Sequence, residues 1–273
     1  MRAACANGSN GIKERAIFQL SVLASSSSGN SSLVATDRTR LLVDAGLSRK
    51  ETFERLLAIG VAPESLTAIL ITHEHSDHIS GLQLIAKKLD IPVYVSRLTA
   101  PCIAWEENYA PKLESFAAGS SFVIGDIDVT SFTIPHDAAD PVGFTFQAQG
   151  LKIAIATDLG YMPDSVRFHL READVLLLES NHDLDMLKVG PYPWSIKQRI
   201  MGRNGHLSND VACSFIREEL GTRTSTLILG HLSSHNNHPA IVEQCAREAL
   251  YGRALFTKLV IAQTKAPTES FVY

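Results

Sequence analysis

The chain has 273 residues, a formal charge of −4 at pH 7, 45% hydrophobic residues and 20% charged residues. This composition supports one or two globular domains with a sizeable core, and it excludes wholesale disorder. The mild acidity excludes a basic coat for nucleic acid, whereas the ten histidines cluster, three within His73–His78 and three within His231–His238.

Residues 1–15 read as a flexible N-terminal extension without the apolar core of a secretory signal, and 16–273 as a single domain. Apolar runs predict strands at 18–23, 33–35 and 40–43, the first two flanking a serine-rich turn that ends in Gly29-Asn30. A helix over 50–59, a strand at 68–72, a helix over 78–88 and a strand at 93–95 follow. A β-rich stretch comes next, at 121–124, 129–134, 143–147 and 152–156. Helix 164–172 precedes strand 175–178, and helices 193–201 and 209–220 precede strand 226–229. Helix 239–250, with Ile241, Cys245 and Leu250 on one stripe, leads to strand 258–262. This mixture fits an α/β architecture of two stacked mixed sheets with helices on both outer faces. No window has the length of a membrane span. The widely spaced Cys5, Cys102, Cys213 and Cys245 suit reduced thiols and a cytoplasmic location.

Five apolar strands run directly into polar residues. They end in Asp44, in His73-Glu74-His75-Ser76-Asp77-His78, in Asp158, in Glu179-Ser180-Asn181-His182 and in His231. A rigid scaffold presents a site in this way, with its chemistry gathered at one edge. In His73-x-His75-x-Asp77-His78, a loop leaving a strand turns His73 and His75 toward one metal, while Asp77 and His78 face a second. Imidazole nitrogen and carboxylate oxygen suit Zn²⁺ and similar divalent ions. A solvated loop carrying these ligand types by chance is a poor account of such density.

With His136, Asp158 and His231 following in that order, the motif resembles the metallo-β-lactamase-fold hydrolase superfamily. The strings LASSSSGNSSLV, LLVDAGLS, THEHSDHISGL, IPHDAADPVGF, IATDLGY, LLLESNHD, GPYPWSIKQRI, GHLSND and GHLSSHNN resemble its YycJ/WalJ-like branch. The resemblance implies a four-layer αββα sandwich and a metal-dependent phosphodiesterase, with DNA 5′→3′ exonuclease activity in some members. It implies one metal held by His73, His75, His136 and Asp158. A second would be held by Asp77, His78, His231 and a bridging Asp158. Asp44 would orient a ligand, although a turn-forming Asp before Ala45-Gly46 fits equally. Two ions, zinc first and manganese or iron as competitors at the harder second site, would leave about +1 on the ligand cluster with a bridging hydroxide. Asp77 with the pair Glu179 and His206, which resembles the proton shuttle of the tRNA 3′-processing branch, is the expected catalytic group. The chain departs from the branch pattern at Ser26, in place of a glycine, and at His235, in place of a glutamate.

Candidate substrate contacts are His182, Ser28, Asn30, Lys197 and Arg199. The turn around Ser28 and Asn30 would bare backbone N–H groups to phosphate. Lys197 and Arg199 would hold the nucleic-acid backbone, with Tyr192 or Trp194 stacking on a base; a solvated helix face explains these residues equally. The expected substrate is DNA or another phosphodiester. A small-molecule hydrolase of cyclic phosphodiesters, lactones or thioesters on the same metals is the alternative. A non-catalytic regulatory protein on the same fold is the third reading. The sequence carries no signal of oligomeric state.

Overall fold

In a computed structural model, residues 17–251, 253 and 256–273 are described, so the expected extension 1–15 lies outside them. Runs of Val, Ile, Leu and Phe, which fill a pleated buried surface well, form two seven-stranded mixed sheets. The first holds β1 (Phe18–Ala24), β2 (Ser31–Thr36), β3 (Arg40–Val43), β4 (Ala68–Leu70), β5 (Val93–Ser96) and β6 (Leu113–Phe116). The second holds β7 (Ser121–Ile124), β8 (Ile127–Thr133), β9 (Val142–Ala148), β10 (Leu151–Ala156), β11 (Val175–Glu179), β12 (Thr226–Gly230) and β13 (Lys258–Ile261). The chain then returns to the first sheet, where β14 (Phe271–Val272) pairs antiparallel with β1.

Each sheet changes from antiparallel to parallel pairing partway across. β3, β4, β5 and β6 are parallel in the first, and β10, β11, β12 and β13 in the second. The helices are α1 (Arg49–Ala58), α2 (Ser76–Ile79), α3 (Leu82–Leu89), α4 (Asp164–Leu170), α5 (Leu184–Val189), α6 (Trp194–Ile200), α7 (Asn209–Glu218) and α8 (Pro239–Leu250).

Three hydrophobic cores separate the layers. Phe18, Phe144, Phe146, Ile153, Ile155 and Leu177 pack between the sheets. Leu56 of α1 and Leu82 and Ile85 of α3 cover Leu33, Leu42 and Ile69 on one outer face. Val166, Phe215 and Val242, from α4, α7 and α8, cover Leu176, Leu178 and Leu227 on the other. Along β10 and β11 the period of two sends Ile153, Ile155 and Leu177 one way and Ala154, Ala156 and Leu176 the other. The strands therefore read as continuous apolar runs because both faces are buried. The result is the four-layer αββα sandwich.

Several expected boundaries change. The helix expected over 78–88 is two helices broken at Ser80-Gly81, because the chain there crosses the Leu47 loop. A Cβ on Gly81 would lie 2.0 Å from the Leu47 carbonyl oxygen, and the Gly81 N–H donates to Ala45 O at 2.8 Å. On α8 the fully buried stripe is Val242, Ala246 and Ala249; of the expected stripe, Cys245 and Leu250 are partly buried against the same core. Small alanines let the helix approach the sheet closely, while Ile241 is exposed.

Candidate metal centre

The polar residues of both sheets meet at one edge, at the carboxyl ends of the parallel strands. Asp44 follows β3, and its Oδ1 accepts from the Thr72 N–H at 2.9 Å just beyond β4. Asp44 Oδ2 accepts from His78 Nδ1 at 2.8 Å. Thr72 Oγ1 donates to Asp44 and lies 3.0 Å from His73 Nδ1. The Asp77 loop packs directly on Gly46, where a Cβ would lie 1.7 Å from Asp77 O. No side chain fits there.

The second sheet supplies the remainder. His136 follows β8 and donates from Nδ1 to Gly205 O at 3.1 Å. Asp158 follows β10 and His231 follows β12. The parallel register pairs Glu179 with Gly230, which sets the Glu179 carboxylate beside His231. Glu179 Oε1 accepts from His231 Nδ1 at 2.8 Å and from His206 Nδ1 at 2.9 Å. Its other oxygen accepts from the Leu159 and Leu207 N–H groups at 2.6 and 3.1 Å. Asp44, Asp158 and His231 all have left-handed backbone, with φ of 60°, 61° and 55°. Non-glycine residues in that region concentrate at functional sites.

These Nδ1 bonds fix tautomers. With Nδ1–H donated, the Nε2 atoms of His78, His136 and His231 turn inward, where a metal can displace any proton they carry. Asp158 sits between the two halves: its Oδ2 is 3.2 Å from His78 Nε2, and its Oδ1 is 3.7 Å from His136 Nε2 and 3.5 Å from His231 Nε2. His75 Nδ1 lies 3.2 Å from His136 Nε2. Asp77 Oδ2 lies 3.5 Å from both His78 Nε2 and His231 Nε2. Two ligand groups result, His73 with His75 and His136, and Asp77 with His78 and His231, with Asp158 adjoining both.

The test of fit is the set of buried atoms that find no partner. His73 Nε2, His231 Nε2 and Asp158 Oδ2 are buried without a hydrogen bond. Leaving such groups unpaired costs about 1–3 kcal/mol each, and cations at their convergence would satisfy all three. Glu179 and His206 also stand within ligand reach of Asp158 and His231. Glu179, however, spends its oxygens on two ring N–H and two backbone N–H groups, which makes it an orienting carboxylate. Burial raises the Glu179 carboxyl, but the adjacent His206 and His231 rings lower it to about 2. Burial disfavours the His231 cation, yet Asp158, Asp77 and Glu179 raise that ring to about 10. The cluster is therefore strongly cation-attracting.

The substrate contacts expected from sequence divide. Arg199 remains at the mouth, with its guanidinium bonded to Asp137 Oδ2 at 2.7 Å. Lys197 turns inward instead and donates to Lys188 O at 2.7 Å, satisfying a carbonyl at the end of α5. Asn30 is buried, and its amide contacts Ser26 O, Asp77 and His78, so it braces the ligand loop. The backbone of its turn is closed, because the N–H groups of Ser28, Gly29 and Asn30 donate to Ser26 Oγ, Ser26 O and Asp77 O. The Ser27 and Ser28 side chains are exposed, and the Ser28 hydroxyl bonds Ser26 Oγ at 2.9 Å. His182 is buried with an unpartnered Nδ1, and burial lowers it to about 4; it does not line the pocket beside His206. His169 stacks on Phe132, and His238 caps α8.

Sequence reasoning passed over Asp137 and Glu74. Asp137 Oδ1 lies 3.4 Å from His136 Nε2 while its other oxygen holds Arg199. Glu74 accepts from the Ala139 N–H at 2.8 Å, tying the motif loop to the His136 loop. The adjacency of Asp137 to His136 was the available signal for the first; the second is a long-range backbone contact with no local signature.

A family model described as a beta-lactamase superfamily domain matches residues 39–231. Exodeoxyribonuclease WalJ of Streptococcus pneumoniae serotype 2 (strain D39) is 41% identical over 243 residues, covering 85% of this chain and 90% of its own. Exodeoxyribonuclease YycJ of Bacillus anthracis is 39% identical over 235 residues, covering 85% and 89%. Among solved structures, the metallo-beta-lactamase fold protein YhfI of Bacillus subtilis matches with a TM-score of 0.72 at 18% identity, covering 95% of this chain and 100% of its own. At that identity the likeness is one of fold. Among the described residues, no helix is long and apolar enough to cross a membrane.

Proposed function

The chain belongs to the metallo-β-lactamase-fold hydrolase superfamily, in the branch of the WalJ and YycJ exodeoxyribonucleases, and on that premise we propose that it is a two-metal DNA exonuclease working from the 5′ end. The observation that carries the reading is the convergence of His73 Nε2, His231 Nε2 and Asp158 Oδ2, buried and without partners, between two ligand groups.

His73, His75 and His136 would hold one divalent ion, and Asp77, His78 and His231 the other, with Asp158 shared. The first set, richer in imidazole, favours zinc; the second, richer in carboxylate, admits manganese or iron. When bound, such ions lower the pKa of water and neutralise charge on a phosphodiester. The protein's own groups do the remaining work. Asp44 and Glu179 hold the His78 and His231 rings so that their Nε2 atoms stay inward. Glu179 also holds His206 by Nδ1, which leaves His206 Nε2 to deliver a proton to the leaving oxygen. The carboxylate beside it raises His206 despite burial, and so stabilises the charged ring that gives up that proton. Arg199 stands at the mouth as the phosphate contact, oriented by Asp137.

We also read 16–273 as one domain, since ligands come from both sheets. A reducing cytoplasm suits the free thiols Cys102, Cys213 and Cys245. Metal-loaded protein incubated with 5′-labelled single- and double-stranded DNA tests the function. Release of label as mononucleotide is expected. Turnover of a small cyclic or bis-aryl phosphodiester with no DNA cleavage would replace DNA by a small-molecule substrate.

A further inference from the structure

Three depressions share lining residues beside the metal centre. The central one holds about 220 Å³ and is lined by Ser27, Asn181, Tyr192, Ile196, Arg199 and His206. At Asp137 and Arg199 it meets a shallower depression of about 490 Å³ whose far wall carries Arg203 and Asn204. At Ser233 it meets a third, of about 640 Å³, whose wall carries His238, Glu243 and Lys265. His206 lines the central depression and neither of its neighbours.

The chemistry of the central pocket is unusual beside a metal centre. Besides Asp137, Arg199 and His206, it has a ring, an aliphatic wall and neutral polar groups. Tyr192 is half-buried, and His235 packs edge-on against it with centroids 5.8 Å apart at 71°, which fixes the plane of the ring. Ile196 is exposed, as are Val189 and Trp194 on the same segment. A volume of 220 Å³ is below the roughly 300–1,000 Å³ of sites that enclose a whole drug-sized ligand, so the pocket takes one ring system. Asn181 donates from Nδ2 to His231 O at 2.8 Å and Ser233 Oγ accepts from the Asn236 N–H at 3.2 Å, which leaves the Asn181 Oδ1 and the Ser233 hydroxyl hydrogen for the edge of such a ring. Arg199, pinned by Asp137, stands at the rim where the flanking phosphate of a seated nucleotide would lie.

We propose that this pocket seats one nucleobase of a single-stranded nucleic acid against Tyr192 and Ile196, with Arg199 on the adjoining phosphate and the strand continuing past Arg199 toward Arg203. The proposal rests on the nuclease reading and adds to it the groups that bind the strand. Aromatic stacking is tolerant of sequence, since every base has a π-face, so the pocket grips any base. A duplex end must unpair by at least one nucleotide to enter it.

The test is equilibrium binding, using metal-loaded protein and a single-stranded oligonucleotide with phosphorothioate linkages that block cleavage. The oligonucleotide carries 2-aminopurine at its 5′ terminus. Wild type is expected to quench the fluorophore on binding. Tyr192→Ala should lose the quench and weaken affinity about tenfold, Tyr192→Phe should keep both, and an abasic 5′ terminus should bind wild type as weakly as the intact strand binds Tyr192→Ala. Unchanged affinity and quench in Tyr192→Ala would overturn the pocket while leaving the nuclease reading in place. Absence of oligonucleotide binding by wild type would overturn both.

Discussion

Asp44 Oδ2 accepts a hydrogen bond from His78 Nδ1 at 2.8 Å, across 34 positions of sequence. The contact exists because β3 and β4 are parallel neighbours, with Val43 opposite Leu70, so both strands release their chains at one edge. Glu179 does the same for His231 across β11 and β12. Anchored rings with inward Nε2 atoms are the common design.

Asp44→Asn should keep the left-handed backbone, which Asn tolerates, while losing the anionic acceptor. Metal affinity is expected to fall about 10–100-fold with little change in fold. Asp44→Ala should add backbone strain and so lower Tm as well. Chelator competition and thermal melts separate the two effects.

For Glu179, the neutral isostere Gln should retain bulk but donate as well as accept, and its amide cannot serve two ring N–H and two backbone N–H groups together. Nuclease turnover is expected to drop about 10²–10⁴-fold. Metal bound at the His231 group should also weaken. A Glu179→Gln protein with normal turnover and metal content would remove Glu179 from the account.

Gly46→Ala places a Cβ 1.7 Å from Asp77 O and 2.6 Å from the Asn30 nitrogen, both backbone atoms that cannot swing aside. The protein should lose about 1–3 kcal/mol, and metal content should fall because the Asp77 loop must move. Urea unfolding and elemental analysis of the same preparation check both parts.

Lys197 and Arg199 should behave oppositely. Lys197→Met removes a partly buried charged bond to Lys188 O and should cost about 1.5–3 kcal/mol of stability without changing the salt dependence of oligonucleotide binding. Arg199→Ala, from an exposed side chain, should spare stability and reduce the salt slope by about 1.

His182 links stability to acid. Its folded value of about 4 lies below the ordinary histidine value near 6.5, so the unfolded chain binds the proton more readily. Stability is therefore complete above about pH 6.5 and declines as pH falls toward 4. In chelator, which removes metal release from the comparison, wild type should lose Tm over that window more steeply than His182→Gln. Parallel curves would contradict this.

The layers and the ligand loop were legible because buried parallel strands are continuous apolar runs and each ends in a polar residue. Two strands were not. β6 is an edge strand whose Leu113-Glu114-Ser115 are exposed, so no hydrophobic pattern marks it, and β14 is only two residues long. Of the candidate site, the ligand types and their order were visible in one dimension. The inward turn of Lys197 and the closure of the serine turn were not, since both depend on carbonyls brought close only by the fold. The double role of Glu179 came from strand register, which sequence spacing across 52 positions does not display.

The central claim is that His73, His75, Asp77, His78, His136, Asp158 and His231 hold the ions that make this protein a DNA exonuclease. Its most direct measurement is label release from 5′-labelled single-stranded DNA by chelator-stripped protein titrated with Zn²⁺ or Mn²⁺. No release without metal, recovery saturating near two equivalents, and no recovery in Asp158→Ala are predicted. Release by the stripped protein, or full recovery in Asp158→Ala, would contradict the account.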